Sequence, residues 1–314
     1  MTFDEQAKLF KKFLCYHWLR PEVALLKYYQ ALHWTKWKFR EPSLDLLSGD
    51  GEFSFLAWGG EFDPLIDMYV NVPPITIDDY FSNRDVYNIP FEKKAYRIKK
   101  KADIKITTGF DYSKGQINKA KRLGLYRKFI TSDLNSGLGM ISDRSYRSVF
   151  TNSLNVSKNL NPLLTDIRRI LTKDGRFYLS VQDRMQVDFA LYNIYKKWKL
   201  RLGKYLDRGY YKNLVDSVVD IDRLSREIKK CGFKVVSKES FGPEIVYTIY
   251  QIGLRPMFPA FMEMYHSLPK KKFWDVKAKW IENLFKLFQE LLDPDKAKIF
   301  GKECFWHFLV LEVG

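Results

Sequence analysis

Ser43-Leu44-Asp45-Leu46-Leu47-Ser48-Gly49-Asp50-Gly51-Glu52-Phe53-Ser54 runs from a short apolar segment holding a carboxylate, through a turn with glycines two residues apart, into residues able to open a helix. A strand, a glycine turn and a helix N-terminus together form a place where backbone N–H groups face a polar ligand. Alone, the pattern also describes an ordinary hairpin or loop turn, so its meaning rests on the residues around it.

The 314 residues suffice for one large domain, or one domain with substantial insertions. Hydrophobic residues at 46% and charged residues at 29% fit a soluble globular protein, and no apolar tract is long enough to span a bilayer. Met1-Thr2-Phe3-Asp4-Glu5-Gln6 is acidic and polar where a signal peptide needs a cationic start and an apolar run. Cys15, Cys231 and Cys304 stand alone, without the spacing of a disulfide framework or a zinc site. A cytoplasmic location and no metal are therefore expected.

The net charge of +16 attracts anions such as nucleic acid, phosphorylated substrates or an anionic membrane surface, although the lysines are scattered along the chain. The 19 Tyr, 24 Phe and 8 Trp exceed what a core of this size usually takes. Basic residues interleaved with aromatics suit either single-stranded nucleic-acid binding or an apolar substrate cleft.

Residues 1–40 are predicted as a cap of two helices, the second opening at Pro21 and carrying the aromatic block Tyr28-Tyr29-Gln30-Ala31-Leu32-His33-Trp34. That block reads as a helix packed across a sheet or as a flap over a ligand. Gly59 to Tyr69 offers a second strand ending in Asp67, and residues 70–100 read as a surface insertion. Ile104 to Asp111 is strand-like; Ser113 is a helix N-cap, and Ile117, Ala120 and Leu123 make one helical face closed by Gly124. Strands are predicted over Tyr126 to Thr131, Ser148 to Asn152 and Arg176 to Val181. Leu160, Leu163, Leu164, Ile167, Ile170 and Leu171 form a helical stripe between the last two. Residues 182–220 follow as a helical lid. Ile221 to Cys231 is predicted helical, Gly232 to Val236 a sixth strand and Phe305 to Val313 a seventh, antiparallel one. Residues 242–298 form a helical insertion between these strands, leaving 41–241 and 299–314 as the core. Alternating strands and helices predict an α/β fold, a Rossmann-like sheet flanked by helices, with ligands at the carboxyl ends of its strands. Asp45, Asp111, Asp133 and Asn152 all stand at such ends.

With these residues in place the chain resembles the class I S-adenosylmethionine-dependent methyltransferases. Their glycine motif, acid-x-Gly-x-Gly-x-Gly, is matched by Asp45-Leu46-Leu47-Ser48-Gly49-Asp50-Gly51, with Leu47 where the first glycine is usual. The resemblance implies seven strands, six parallel and the last antiparallel, and S-adenosyl-L-methionine as cofactor, with S-adenosyl-L-homocysteine as product. It implies cofactor binding by Asp45, Ser48, Gly49, Asp50 and Gly51. It places Asp111 with Tyr112 at the ribose, Asp67 competing, and Asp133, Leu134 and Asn152 around the adenine and the fourth strand.

Methyl transfer is an in-line displacement that chiefly needs positioning, with a general base where the acceptor starts protonated. His17, Asp183 and Arg184 are the candidate catalytic residues. Tyr29, His33, Asp207, Arg208, Tyr210, Tyr211 and Arg255 are candidates for acceptor binding. The first reading is a methyltransferase acting on an O or N atom of a small molecule: a sugar, a lipid-linked compound or a secondary metabolite. The alternatives are a methyltransferase for RNA or other nucleic acid, and a non-catalytic protein keeping the fold. The apolar stripe Ile281 to Leu292 suits core packing or a dimer contact better than peripheral membrane contact. Oligomeric state is left open.

Overall fold

In the computed structural model the described residues are 1–70, 72, 97–152, 160–199, 201, 210–252 and 257–314. Seven strands form one sheet: β1 (Ser43–Leu46), β4 (Ile106–Asp111), β5 (Tyr126–Thr131), β6 (Tyr146–Thr151), β7 (Leu171–Gln182), β8 (Phe233–Pro243) and β9 (Cys304–Val313). Their order is β5-β4-β1-β6-β7-β9-β8, while β2 (Glu61–Phe62) and β3 (Ile98–Lys100) make a separate two-stranded sheet. Pairing is parallel from β5 through β7; β9 runs antiparallel to both β7 and β8, so six strands share one direction. Strand order reverses at β1, which lies between β4 and β6, and this places the switch point at the end of the Asp45 strand.

Helices cover both faces. On one, α1 (Phe3–Tyr16) and α2 (Pro21–Trp34) share a core with the helix Lys270–Phe288 and with Phe150, Tyr178, Trp306 and Phe308 of the sheet. On the other, the helices Leu160–Ile170 and Ile221–Lys230 bury Leu163, Leu164, Ile167, Leu224 and Ile228 against Val149, Phe177, Leu309 and Leu311. The helices form where the sequence carries their caps. Thr2 and Glu5 make a reciprocal capping box on α1, Pro21 takes the first position of α2, and Asp220 accepts two backbone N–H groups at the start of Ile221–Lys230.

The aromatic surplus is explained by the seam between α2 and the sheet. The Trp34 indole packs edge-on against Phe150 and Phe308 with ring centres 5.7 and 5.2 Å apart, and its N–H donates to Ser180 Oγ at 3.0 Å. Phe39 stacks on Phe150 at 4.5 Å. Aligned aromatic pairs add about 0.5–1.5 kcal/mol each beyond the area they bury, so this seam fixes α2 firmly across the sheet. The stripe of the Lys270–Phe288 helix is core as well: Leu284, Phe285 and Phe288 are buried, and Phe10 of α1 meets both phenylalanine rings.

Three expectations change, the first being that β8 runs on to Pro243, seven residues past the expected end of the sixth strand at Val236. Gly59 to Tyr69 is no strand of the main sheet. Only Glu61–Phe62 is extended, pairing antiparallel with Ile98–Lys100, after the chain bends at Gly59 with φ +88°. Strand β7 begins at Leu171, five residues before Arg176, with the irregular pairing between Tyr146 and Ser148 absorbing Lys173 to Gly175. Most of the expected insertion over residues 70–100 lies outside the described residues.

Candidate functional site

The turn after β1 is sewn to β4 by its backbone. Leu47 reverses the chain with φ +64°, a left-handed conformation that costs a non-glycine residue about 1–2 kcal/mol, and its side chain is held in the core beneath the sheet. Ser48 N–H then donates to the Phe110 carbonyl at 2.9 Å, and Gly49 N–H to Asp111 Oδ2 at 2.9 Å. Gly51 N–H returns to the Ser48 carbonyl at 3.0 Å, and Gly51, at φ +73°, caps α3 (Glu52–Ala57). The two glycines differ in role. A Cβ on Gly51 would come within 2.8 Å of the Tyr126 ring, whereas one on Gly49 would meet nothing within 4 Å. Gly51 thus makes room for the scaffold, and Gly49 faces open space.

Two buried carboxylates stand under and beside this turn. Asp45 Oδ2 accepts from the Tyr126 hydroxyl at 2.6 Å and the Ser54 hydroxyl at 2.8 Å. Burial pushes the Asp45 carboxyl up to about 6, with those two hydrogen bonds pulling the other way. Asp111 closes β4: Oδ2 takes the Gly49 N–H and Oδ1 the Ser113 N–H at 2.8 Å. Burial raises its pKa too, opposed by these backbone donors. A carboxylate has about four acceptor sites, so Asp111 can still accept from an incoming hydroxyl beside these backbone donors.

The remaining cofactor candidates spread along the same edge. Tyr112 is 59% exposed. Asp133, exposed at the end of β5, accepts from Asn135 N–H at 2.9 Å, and Leu134 beside it is buried. Asn152 is half-buried after β6. Asp50 is turned away toward α1, accepting from the Tyr16 hydroxyl at 3.0 Å and from Glu52 N–H at 3.1 Å. Asp67, the competitor for the ribose, lies in a loop and takes the Tyr69 N–H at 3.0 Å and the Tyr265 hydroxyl.

The catalytic and acceptor candidates scatter. His17 is buried against α3, its Nε2 3.1 Å from Glu52 Oε1. Burial lowers its pKa, against the pull of Glu52. Asp183 follows β7, buried, with Oδ2 2.7 Å from His307 Nε2. Arg184 is exposed and lines a cavity of about 850 Å³ with Tyr211, Asp220, Arg223 and Glu227. Tyr29 is buried and donates to the Leu291 carbonyl at 2.6 Å; His33 Nδ1 lies 2.7 Å from Glu239 Oε2. Tyr210 opens the helix Tyr210–Ser217, while its side chain and the residues Asp207, Arg208 and Arg255 lie outside those described. Sequence reasoning missed Tyr126, Ser54 and His307, whose roles arise from pairings 81, 9 and 124 residues apart.

The residues at the turn fit an adenosyl cofactor. Ser48 Oγ is buried with no hydrogen-bond partner among the described residues, and the adjoining Gly49 faces free space, as a site awaiting a polar ligand requires.

No protein-family model matches the sequence, and no curated protein is detectably similar to it. Solved structures do match at low identity. A SAM-dependent methyltransferase from Thiobacillus denitrificans bound to S-adenosyl-L-homocysteine is 14% identical over 93% of this chain and 91% of its own, with TM-score 0.43. Phosphoethanolamine N-methyltransferase 2 from Haemonchus contortus, bound to S-adenosyl-L-methionine, is 14% identical over 96% of this chain and 56% of its own, with TM-score 0.44. The cyclase SpnF is 12% identical over 94% and 82%, with TM-score 0.42. Strand order, the single antiparallel strand β9 and the glycine turn at the switch point together make this a Rossmann-like seven-stranded fold.

Proposed function

We propose that this chain is an S-adenosyl-L-methionine-dependent methyltransferase, acting on an oxygen or nitrogen of a small-molecule acceptor such as a sugar, a lipid-linked compound or a secondary metabolite. The observation that carries the reading is the hydrogen bond from Gly49 N–H to Asp111, which joins the turn after β1 to the acid ending β4 beside the switch point. The bound cofactor supplies an electrophilic methyl group on a sulfonium. Ser48 and Gly49 lie under its methionine end, Asp111 accepts from its ribose hydroxyls, and Tyr112, Asp133, Leu134 and Asn152 surround its adenosine. The work of the chain is to orient the acceptor in line and to keep water out.

Scale supports a small acceptor. Beyond β7 the cavity lined by Arg184 and Tyr211, about 850 Å³, falls within the range of small-molecule sites. Calorimetry with S-adenosyl-L-methionine and S-adenosyl-L-homocysteine tests the reading. Both should bind the intact protein; absence of binding by both would sink it. Steeply salt-dependent binding of RNA would instead favour a nucleic-acid acceptor.

A further inference from the structure

Ser240 of β8 pairs with His307 of β9, and β9 lies beside β7, whose end leads into Asp183. The three side chains form a chain of hydrogen bonds. His307 Nδ1 is 3.0 Å from Ser240 Oγ, and His307 Nε2 is 2.7 Å from Asp183 Oδ2. A carboxylate only accepts, so Nε2 carries the ring hydrogen and Nδ1 is left to accept from the Ser240 hydroxyl. Asp183 is itself fixed, its Oδ1 taking the Met185 N–H at 2.7 Å.

The chain has a closed end and an open one. Asp183 and His307 are each 8% exposed, while Ser240 is exposed and lines a cavity of about 500 Å³ shared with Lys298 and Cys304. Burial lowers the His307 pKa, against the pull of Asp183, which keeps the imidazole neutral and able to take a proton. A cross-strand serine bonded to histidine for packing alone needs neither the buried carboxylate behind the ring nor open space before the hydroxyl. A nucleophile needs all three parts.

We propose that Asp183, His307 and Ser240 form a second reactive site, in which Ser240 Oγ attacks small activated acyl esters entering this cavity. As the Oγ–carbon bond forms, the hydroxyl proton passes to His307 Nδ1. Asp183 stabilises the resulting imidazolium. The ester C–O bond breaks, the leaving alcohol takes the proton from Nδ1, and water releases the acid by the same route and restores Ser240. Lys298, on the same cavity wall, offers positive charge to the oxyanion. No cofactor enters these steps.

The test treats the full chain with an alkyl fluorophosphonate, which bonds covalently to an activated serine, and locates the adduct by peptide mass spectrometry. One adduct on Ser240 is expected, lost in Ser240→Ala, about 100-fold slower in His307→Gln and about 10-fold slower in Asp183→Asn, with p-nitrophenyl acetate hydrolysis falling in step. Labelling should be equal with and without S-adenosyl-L-homocysteine, so failure of the cofactor reading leaves this result intact. No adduct at Ser240 in the wild-type chain, or an unchanged rate in a folded His307→Gln variant, overturns the proposal. Should His307→Gln unfold on melting, Ser240→Cys decides: a thiol beside His307 should alkylate with iodoacetamide well ahead of Cys15, Cys231 and Cys304, and parity with them counts against the site.

Discussion

Gly49 N–H reaches Asp111 Oδ2 across 2.9 Å, so the carboxylate that shapes the glycine turn is the one assigned to the ribose in the proposed function. Replacing Asp111 with Ala should weaken S-adenosyl-L-homocysteine binding at least about 10-fold, or about 1.4 kcal/mol, in calorimetry. Asp111→Asn should fall between, because its amide oxygen can still accept one of the two backbone N–H groups while its NH2 faces the other.

Leu47 sets two effects against each other. Leu47→Gly relieves a left-handed backbone worth about 1–2 kcal/mol. It also removes a buried side chain from the core beneath the sheet, where truncating leucine costs about 2–5 kcal/mol. The loss is larger, so the variant should be less stable by about 2 kcal/mol in denaturant titration, although its turn then follows the acid-x-Gly-x-Gly-x-Gly pattern.

Asp45 makes folding depend on mild acidity. Its folded pKa is raised from 3.8 to about 6, chiefly by burial, so it binds its proton more tightly when folded. The stability this confers is full below about pH 4 and is lost as pH rises through about 6, a change of about 3 kcal/mol. In urea titrations across that window the wild-type chain should decline relative to Asp45→Asn, whose amide oxygen still accepts from Tyr126 and Ser54. Parallel curves would refute this account.

Glu52 acts with the opposite sign. Burial alone would raise its carboxyl, but Lys27 and His17 outweigh that and hold it at about 2. Its contribution is present above about pH 4.5 and disappears as pH falls through 2. Glu52→Gln leaves the Lys27 ammonium and the buried His17 ring without their anion. It should cost about 2–3 kcal/mol at neutral pH, discounted because Lys27 is a quarter exposed. The check is a drop of several degrees in the melting temperature that shrinks at low pH.

Patterns confined to one segment were legible in the sequence. The Asp45–Gly51 turn, the Asp111 strand with its Ser113 cap and the helical stripe from Leu160 are each set by residues within a few positions of one another. The alternation of strands and helices then limited the topology to a mainly parallel sheet. What joins distant segments was not legible. Tyr29 presents a hydroxyl that sequence alone cannot distinguish from a ligand contact, yet in the structure it meets a carbonyl 262 residues away. His307 reads as a strand residue until Asp183 and Ser240 are brought to either side of its ring. Gly59 to Tyr69 has strand-like composition, but β4 takes the place beside β1 and only Glu61–Phe62 pairs, with Ile98–Lys100.

The tyrosines of α1 and α2 carry a consequence for the order in which the protein is made. Tyr16 holds Asp50 of the glycine turn, while Tyr28 and Tyr29 hold the carbonyls of Leu292 and Leu291. On a ribosome, residues 1–40 and the turn emerge early, but Phe10 of the helix pair that holds the turn meets Phe285 and Phe288 only once residues 284–292 follow. Cofactor affinity should therefore arise late in synthesis, and nascent chains halted before residue 280 should hold no adenosyl ligand even though every residue proposed to touch it has already been added.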